Sequence, residues 1–205
     1  MMAITACNST SSEKPTGPNT ETVTEVVAPK DSTPTPPMDS AAMAKAWQDY
    51  MTPGEMHKIL AAADGSWHEE MTMWMAPDAP PEKYTATSVN RMIMGGRYQE
   101  SKHTGQMNGM AFEGQSVLGY DNTRKKFVSS WVDNMGTGIM YMEGTWDAAT
   151  KSIRLEGKQP DPVTGKELSI RETHTFTDDK HQHMEMFTTI DGKEFKNMDI
   201  VFTKK

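Results

Sequence analysis

Apolar and polar residues alternate with two different periods, and the change falls at Trp67. Before it the spacing is helical. Met43, Trp47, Tyr50 and Met51 share one face of a helix predicted over 38–51, with Asp39 or Ser40 placed to cap it. Thr52-Pro53-Gly54-Glu55 has the capping-box pattern, with proline at the first helical position, where its missing N–H is not needed. Met56, Ile59, Leu60 and Ala63 then form the stripe of a second short helix, which Gly65 ends. From Trp67 onward the period is two. Strands are predicted over 66–75, 83–94, 97–106, 110–120, 126–134, 137–146, 151–158, 166–177, 180–190 and 193–204. Turn residues separate them at Asp121-Asn122, 147–150, 161–165, Asp178-Asp179 and Asp191-Gly192, the last a type I′ hairpin signal.

About ten strands in a meander point to a mainly β fold, an antiparallel up-and-down barrel, because closure alone removes exposed sheet edges. The turns also predict registers. A four-residue turn at 147–150 sets Met142 opposite Leu155 and Gly144 opposite Ile153 on an apolar face, with Glu143 opposite Arg154 and Thr145 opposite Ser152 on a polar one. A two-residue turn at 178–179 sets His174 opposite His183 and Glu172 opposite Glu185, on a face shared with Leu168, Ile170, Phe176 and Phe187. A three-residue turn at 178–180 instead brings Met184 and Met186 onto the face of Glu172 and His174. The two-residue turn is the preferred reading. With Asp191-Gly192 as a two-residue turn, Met198, Ile200 and Phe202 continue the face of Glu185, His183 and His181. The whole His/Glu group is therefore expected to point into the barrel.

Composition adds an address. The first 37 residues are unlike the rest: 8–37 hold Ser, Thr, Pro, Glu and Lys, no Leu and no aromatic residue. They are expected to form a disordered linker. The chain thus divides into 1–37, a helical segment over 38–64 and a barrel over 65–205. The single cysteine, Cys7, allows no intrachain disulfide. Ile4-Thr5-Ala6-Cys7 resembles the cleavage and lipidation site of bacterial lipoproteins, and the polar tail after it fits. Six residues cannot hold a basic and an apolar signal region, so this reading needs a start further upstream. It makes Cys7 a lipidation site, the membrane a partner and the bacterial cell envelope the location. The net charge of −7 speaks against nucleic acid as a partner. No run of eighteen apolar residues offers a spanning helix.

Several blocks carry a family resemblance. They are Gly95-Gly96-Arg97-Tyr98, Gly109 to Gly114, Gly119-Tyr120-Asp121-Asn122, Lys125 to Val128, Trp131-Val132-Asp133, Gly136 to Ile139 and Asp161 to Lys166, with Arg171-Glu172 and Glu185-Met186-Phe187. From about Pro53 to Lys205 the chain resembles a bacterial family of uncharacterised proteins, domain of unknown function 1579. That resemblance implies a fold but no chemistry. More broadly, Gly65-Ser66-Trp67 is similar to the Gly-x-Trp start of calycin barrels, the lipocalin and fatty-acid-binding class. There the Trp closes the base and an Arg near the chain end packs over it. This chain ends Thr203-Lys204-Lys205, and Lys204 is the expected substitute.

The candidate chemistry follows. Glu172, His174, His183 and Glu185 have the donor types for zinc or iron, for the polar head of a ligand, or for an ordinary hydrogen-bonded patch. No His-x-x-x-His or His-Glu-x-x-His pattern supports a metal, and no cofactor is expected. With 19 Met against four Leu, Met is the core residue of this chain, and its Met-x-Met pairs read as packing before copper binding. Arg91 and Arg97 read as surface ion pairs before ligand contacts. No phosphate loop, serine elbow or catalytic cysteine appears. The expected function is binding of a small apolar or amphipathic ligand, in a lumen lined by Trp67, Met71, Met73, Trp131, Met140, Met142, Glu172, His174, His183 and Glu185. The alternatives are an enzyme with a Glu/His pair, and an interaction module with a filled barrel.

Overall fold

The computed structural model describes residues 39–205. Cys7 and the linker expected over 8–37 lie outside the described residues. Helices α1 (Ser40–Met51) and α2 (Glu55–Ala62) precede ten strands: β1 (Gly65–Met73), β2 (Glu82–Ile93), β3 (Tyr98–Met107), β4 (Met110–Asp121), β5 (Lys126–Asp133), β6 (Met140–Asp147), β7 (Ser152–Pro160), β8 (Glu167–Phe176), β9 (His181–Ile190) and β10 (Lys193–Lys204). Each strand pairs antiparallel with the next, and β1 pairs with β10. The sheet is a closed barrel in chain order. Inward positions carry the core: Trp67 and Met71 on β1, Phe127 on β5, Met142 on β6, Ile153 and Leu155 on β7, Ile170 on β8, Ile200 and Phe202 on β10.

The helices differ in role. In α2, Leu60 and, just beyond its end, Ala63 are buried and close one end of the barrel together with Trp67, whose Nε1–H donates to Ala63 O at 2.9 Å. Gln99 Nε2 donates to Leu60 O at 2.5 Å, and Asp64 accepts from the Met92 amide at 2.9 Å, so the base is fastened by polar groups as well. The cap of α2 is Gly54, not the expected Thr52. The Gly54 amide donates to His57 Nδ1 at 3.0 Å, while the Thr52 hydroxyl turns back to Gln48 O at 2.6 Å and closes α1 instead. No residue of α1 is buried, and Trp47 is 58% exposed. Its apolar face meets solvent rather than the barrel. One side chain holds its end: Asn122 Nδ2 lies 3.0, 3.2 and 2.8 Å from the carbonyl oxygens of Asp49, Tyr50 and Thr52. These are orphan acceptors of a helix terminus.

Three registers depart from expectation. The β6–β7 connection is 148–151, since Asp147 pairs with Ser152. Asp147 accepts from the Ala149 amide at 2.8 Å, and Lys151 takes a left-handed φ of 51°. The faces are as expected but the partners slide: Met142 meets Gly157 and Gly144 meets Leu155. Glu143 therefore binds Arg124 and Lys126, and Arg154 binds Glu156. The β8–β9 connection holds three residues, not two. The Thr177 amide donates to His181 O at 3.1 Å, and Asp178 accepts from the Lys180 amide at 2.7 Å. Glu172 then meets Met186, and His174 meets Met184. The Asp191-Gly192 turn forms as expected, with φ of 50° and 76°, but a bulge follows between Lys196 and Met198. It inserts Asn197 and turns Met198, Ile200 and Phe202 onto the face of Met186, Met184 and Gln182.

Candidate functional site

The two slips decide which groups share the lumen. Glu172 and His174 point inward, as expected. His183 and Glu185 point outward, so the four-residue group does not exist. The outer pair joins another network. His183 Nε2 is 3.0 Å from Asp199, and the Lys196 ammonium is 2.7 Å from Asp199 and 3.1 Å from Glu185. Burial opposes the charge on Asp199, but hydrogen bonds from Lys196 and His183 outweigh it and hold that carboxyl below its ordinary range. Among the described residues, His183, Glu185 and Asp199 are the one set of three donors close enough for a metal. Lys196 already supplies the cation there. Phe187, also expected inside, lies outside under the Arg171 guanidinium, 3.9 Å from its ring centroid.

Inside, Glu172 and His174 acquire partners that the hairpin alone did not reveal. Glu69 on β1 is 1% exposed, and its Oε1 lies 2.8 Å from His103 Nδ1 on β3. Glu69 shares the parity of Trp67 and Met71, and that was the signal for it. His103 lies between Ser101 and Gly105 on its face and carries no such signal. Its ring meets Trp131 edge to face at 5.1 Å. Gly114 makes room for that indole, because a Cβ there would fall 2.5 Å from it. Across the barrel, His174 Nε2 is 2.8 Å from Gln182 Oε1, and the ring stacks between Phe176 and Phe202 at 5.0 and 5.5 Å. β3 and β8 stand five strands apart in either direction, so His103 and Glu172 occupy opposite walls.

Glu172 is the exceptional group. Protein encloses its carboxyl, and it makes no hydrogen bond among the described residues. Burial pushes its pKa up to about 7, with only a small opposing pull from His103. Burial likewise lowers His174, against the hydrogen bond its Nε2 donates to Gln182 Oε1. Both residues point inward at mid-height and are half-buried, as are Ser116, Leu118 and Ser129.

The other expected lining residues sort by height. Trp67, Met71 and Met142 are buried in the packing, with Trp67 at the base. Met73, Trp131 and Met140 are half-buried toward the end away from α2. Two grooves, of about 570 and 450 Å³, lie on the outer wall: one between the α1–α2 elbow and β4–β6, the other across β7–β9.

Residues 52–204 match the family described as "Protein of unknown function (DUF1579)". The chain belongs to that family. No curated protein matches it. Among solved structures, the DUF1579 barrel is similar to Rv2717c from M. tuberculosis, at 14% identity and a TM-score of 0.55, covering 75% of this chain and 99% of that one. At that identity the likeness concerns the fold alone.

Proposed function

We propose that this DUF1579 barrel binds a small, largely apolar ligand in its lumen, with the polar end of the ligand at Glu172 and His174. The observation that carries the reading is the carboxyl of Glu172. Among the described residues it has no hydrogen-bond partner, and its surroundings disfavour its charge, so a ligand group that bonds to it would offset a desolvation cost. Met184, Met186, Leu155, Ile200 and Phe202 supply apolar walls around it. In the same reading Cys7 is lipidated, and the stretch over 8–37 tethers the barrel at the envelope membrane. The sequence Ile4-Thr5-Ala6-Cys7 supports that part. Native mass spectrometry of protein purified from its own host tests the lumen: a retained small molecule is expected, and it should be lost in Glu172→Leu. A ligand-free barrel from every growth condition would overturn it. Peptide mass spectrometry of protein made with its native upstream region should show a lipid on Cys7, and an unmodified cysteine rejects the anchor.

A second reading is favoured by one further contact. Glu69 fixes His103 through Nδ1 and leaves Nε2 for the lumen, opposite a carboxyl that titrates near neutrality. That pairing suits general acid–base catalysis on a bound ligand. Turnover that survives both Glu172→Gln and His103→Gln would reject it.

A further inference from the structure

The lumen is unusual in which charges it lacks. Among the described residues, its inward strand positions hold two lysines, one at each end, and no arginine. Lys204 is committed at the base, 3.4 Å from Ala62 O and above the Trp67 ring. Lys193 is exposed at the opposite rim, beside the Asp191-Gly192 turn. Among the described residues, no lysine or arginine stands at mid-height to receive a carboxylate or phosphate head.

The carboxylates there are differently placed. Glu69 is satisfied by His103. Asp133, near the rim, accepts from Trp131 Nε1 at 2.7 Å and from the amides of Met135 and Gly136 at 2.9 and 3.1 Å. Among the described residues, Glu172 alone of these has no hydrogen-bond partner. On its flanks are Leu155 of β7 and Met186 of β9, neither of which carries charge. The titratable groups facing it are His103 and Glu69 across the lumen and His174 two positions along its own strand. His174 is already bonded to Gln182.

Resting on the reading that the lumen holds a ligand, we infer that its ligands carry a cationic head, a primary or secondary alkylammonium, which Glu172 receives as a charge-assisted hydrogen bond while the alkyl chain runs toward the open end. A fatty-acid anion is disfavoured at the same site wherever Glu172 is ionised, because the two carboxylates would repel. The length also fits. From Glu172 to the rim at Glu167 the tilted strand rises roughly 13 Å, about an extended ten-carbon chain.

The raised titration of Glu172 gives the inference a sign. The ammonium needs the ionised carboxyl, so below about pH 7 binding must expel the proton from Glu172. Affinity for the amine should then fall by up to about tenfold per pH unit, while a neutral alcohol shows no such slope.

The test is calorimetric titration of the full chain, stripped of bound lipid, with decylamine, decanol and decanoate below their micelle concentrations. Decylamine should bind about tenfold or more tighter than decanol, and decanoate weakest. Near pH 6, buffers of different ionisation enthalpy should report close to one proton released per decylamine. Glu172→Gln should abolish that release and remove the preference for decylamine over decanol. If decanoate binds best, or the three heads bind alike, the inference is overturned while the lumen reading stands. If none of the three binds, both fall. Should Glu172→Gln fail to fold, the proton count on the unaltered protein decides: no release overturns the inference.

Discussion

The ammonium of Lys204 stands 5.4 Å from the ring centroid of Trp67, on neighbouring strands where the two residues are direct partners. The resemblance to calycin barrels implied an arginine in this place, and the lysine does its work with a shorter reach. Its stem also passes close to Gly65, where a Cβ would come within 2.9 Å of Cε. Lys204→Ala should lower stability by about 1–2 kcal/mol, and Lys204→Arg should recover most of that. Trp67→Ala removes the base of the core and should cost about 3–5 kcal/mol. Urea unfolding followed by fluorescence measures all three.

Glu172 makes stability depend on pH in an unusual direction for a carboxyl. Its folded pKa, about 7, lies above the ordinary value of 4.5. The folded state therefore holds the proton more tightly than the unfolded chain. This contribution is fully present below about pH 4.5, declines as pH rises, and is lost above about pH 7. A shift of that size corresponds to on the order of 3 kcal/mol. Glu172→Gln should thus be more stable than the natural protein at pH 8.5, and the gap should close toward pH 4.5. A gap of constant size across that range would show that Glu172 is not buried in the protonated form.

Asn122 is the one described side chain that ties the end of α1 to the barrel. Asn122→Ala should leave barrel stability within about 0.5 kcal/mol, because only exposed bonds are lost. The amides of Asp49 to Thr52 should exchange with solvent faster, while those of β4 and β5 stay protected. Hydrogen–deuterium exchange resolves the two regions.

Gly144 has no room for a side chain. A Cβ there would lie 1.7 Å from the carbonyl oxygen of Arg154 on the paired strand. Gly144→Ala must push β6 and β7 apart and should cost about 3 kcal/mol or more, among the largest losses for a one-carbon change in this protein. Thermal unfolding of the variant measures it.

The strands themselves were legible because alternation and turn residues agree from Trp67 to Lys204. The inward placing of Glu172 and His174 was legible too, through Leu168, Ile170 and Phe176 on the same parity. Their partners were not. The Asp178-Asp179 pair looks like a whole turn, yet the Asp178 carboxylate bonds to the Lys180 amide and draws a third residue into the loop. One added residue sends every β9 side chain to the other face. The bulge at Asn197 then restores β10 to the lumen, so an apolar face on β10 was correctly foreseen while its neighbours were not. A bulge has no composition of its own to read. Glu69 was visible in principle, but a carboxylate between Trp67 and Met71 reads as a strand-face exception until a histidine from two strands away explains it. α1 shows the opposite failure: its periodic face is real, and the barrel does not cover it.

Closure of the sheet by β1 and β10 bears on how the protein comes to be made. Trp67 on the first strand and Lys204 on the last are direct partners at the base. No shorter nascent chain holds both edges of the ring. Until the last strand leaves the ribosome, β1 presents an open edge. The hairpins between neighbouring strands can form earlier, but the closing β1–β10 pairing comes last, and contacts this distant in sequence slow folding.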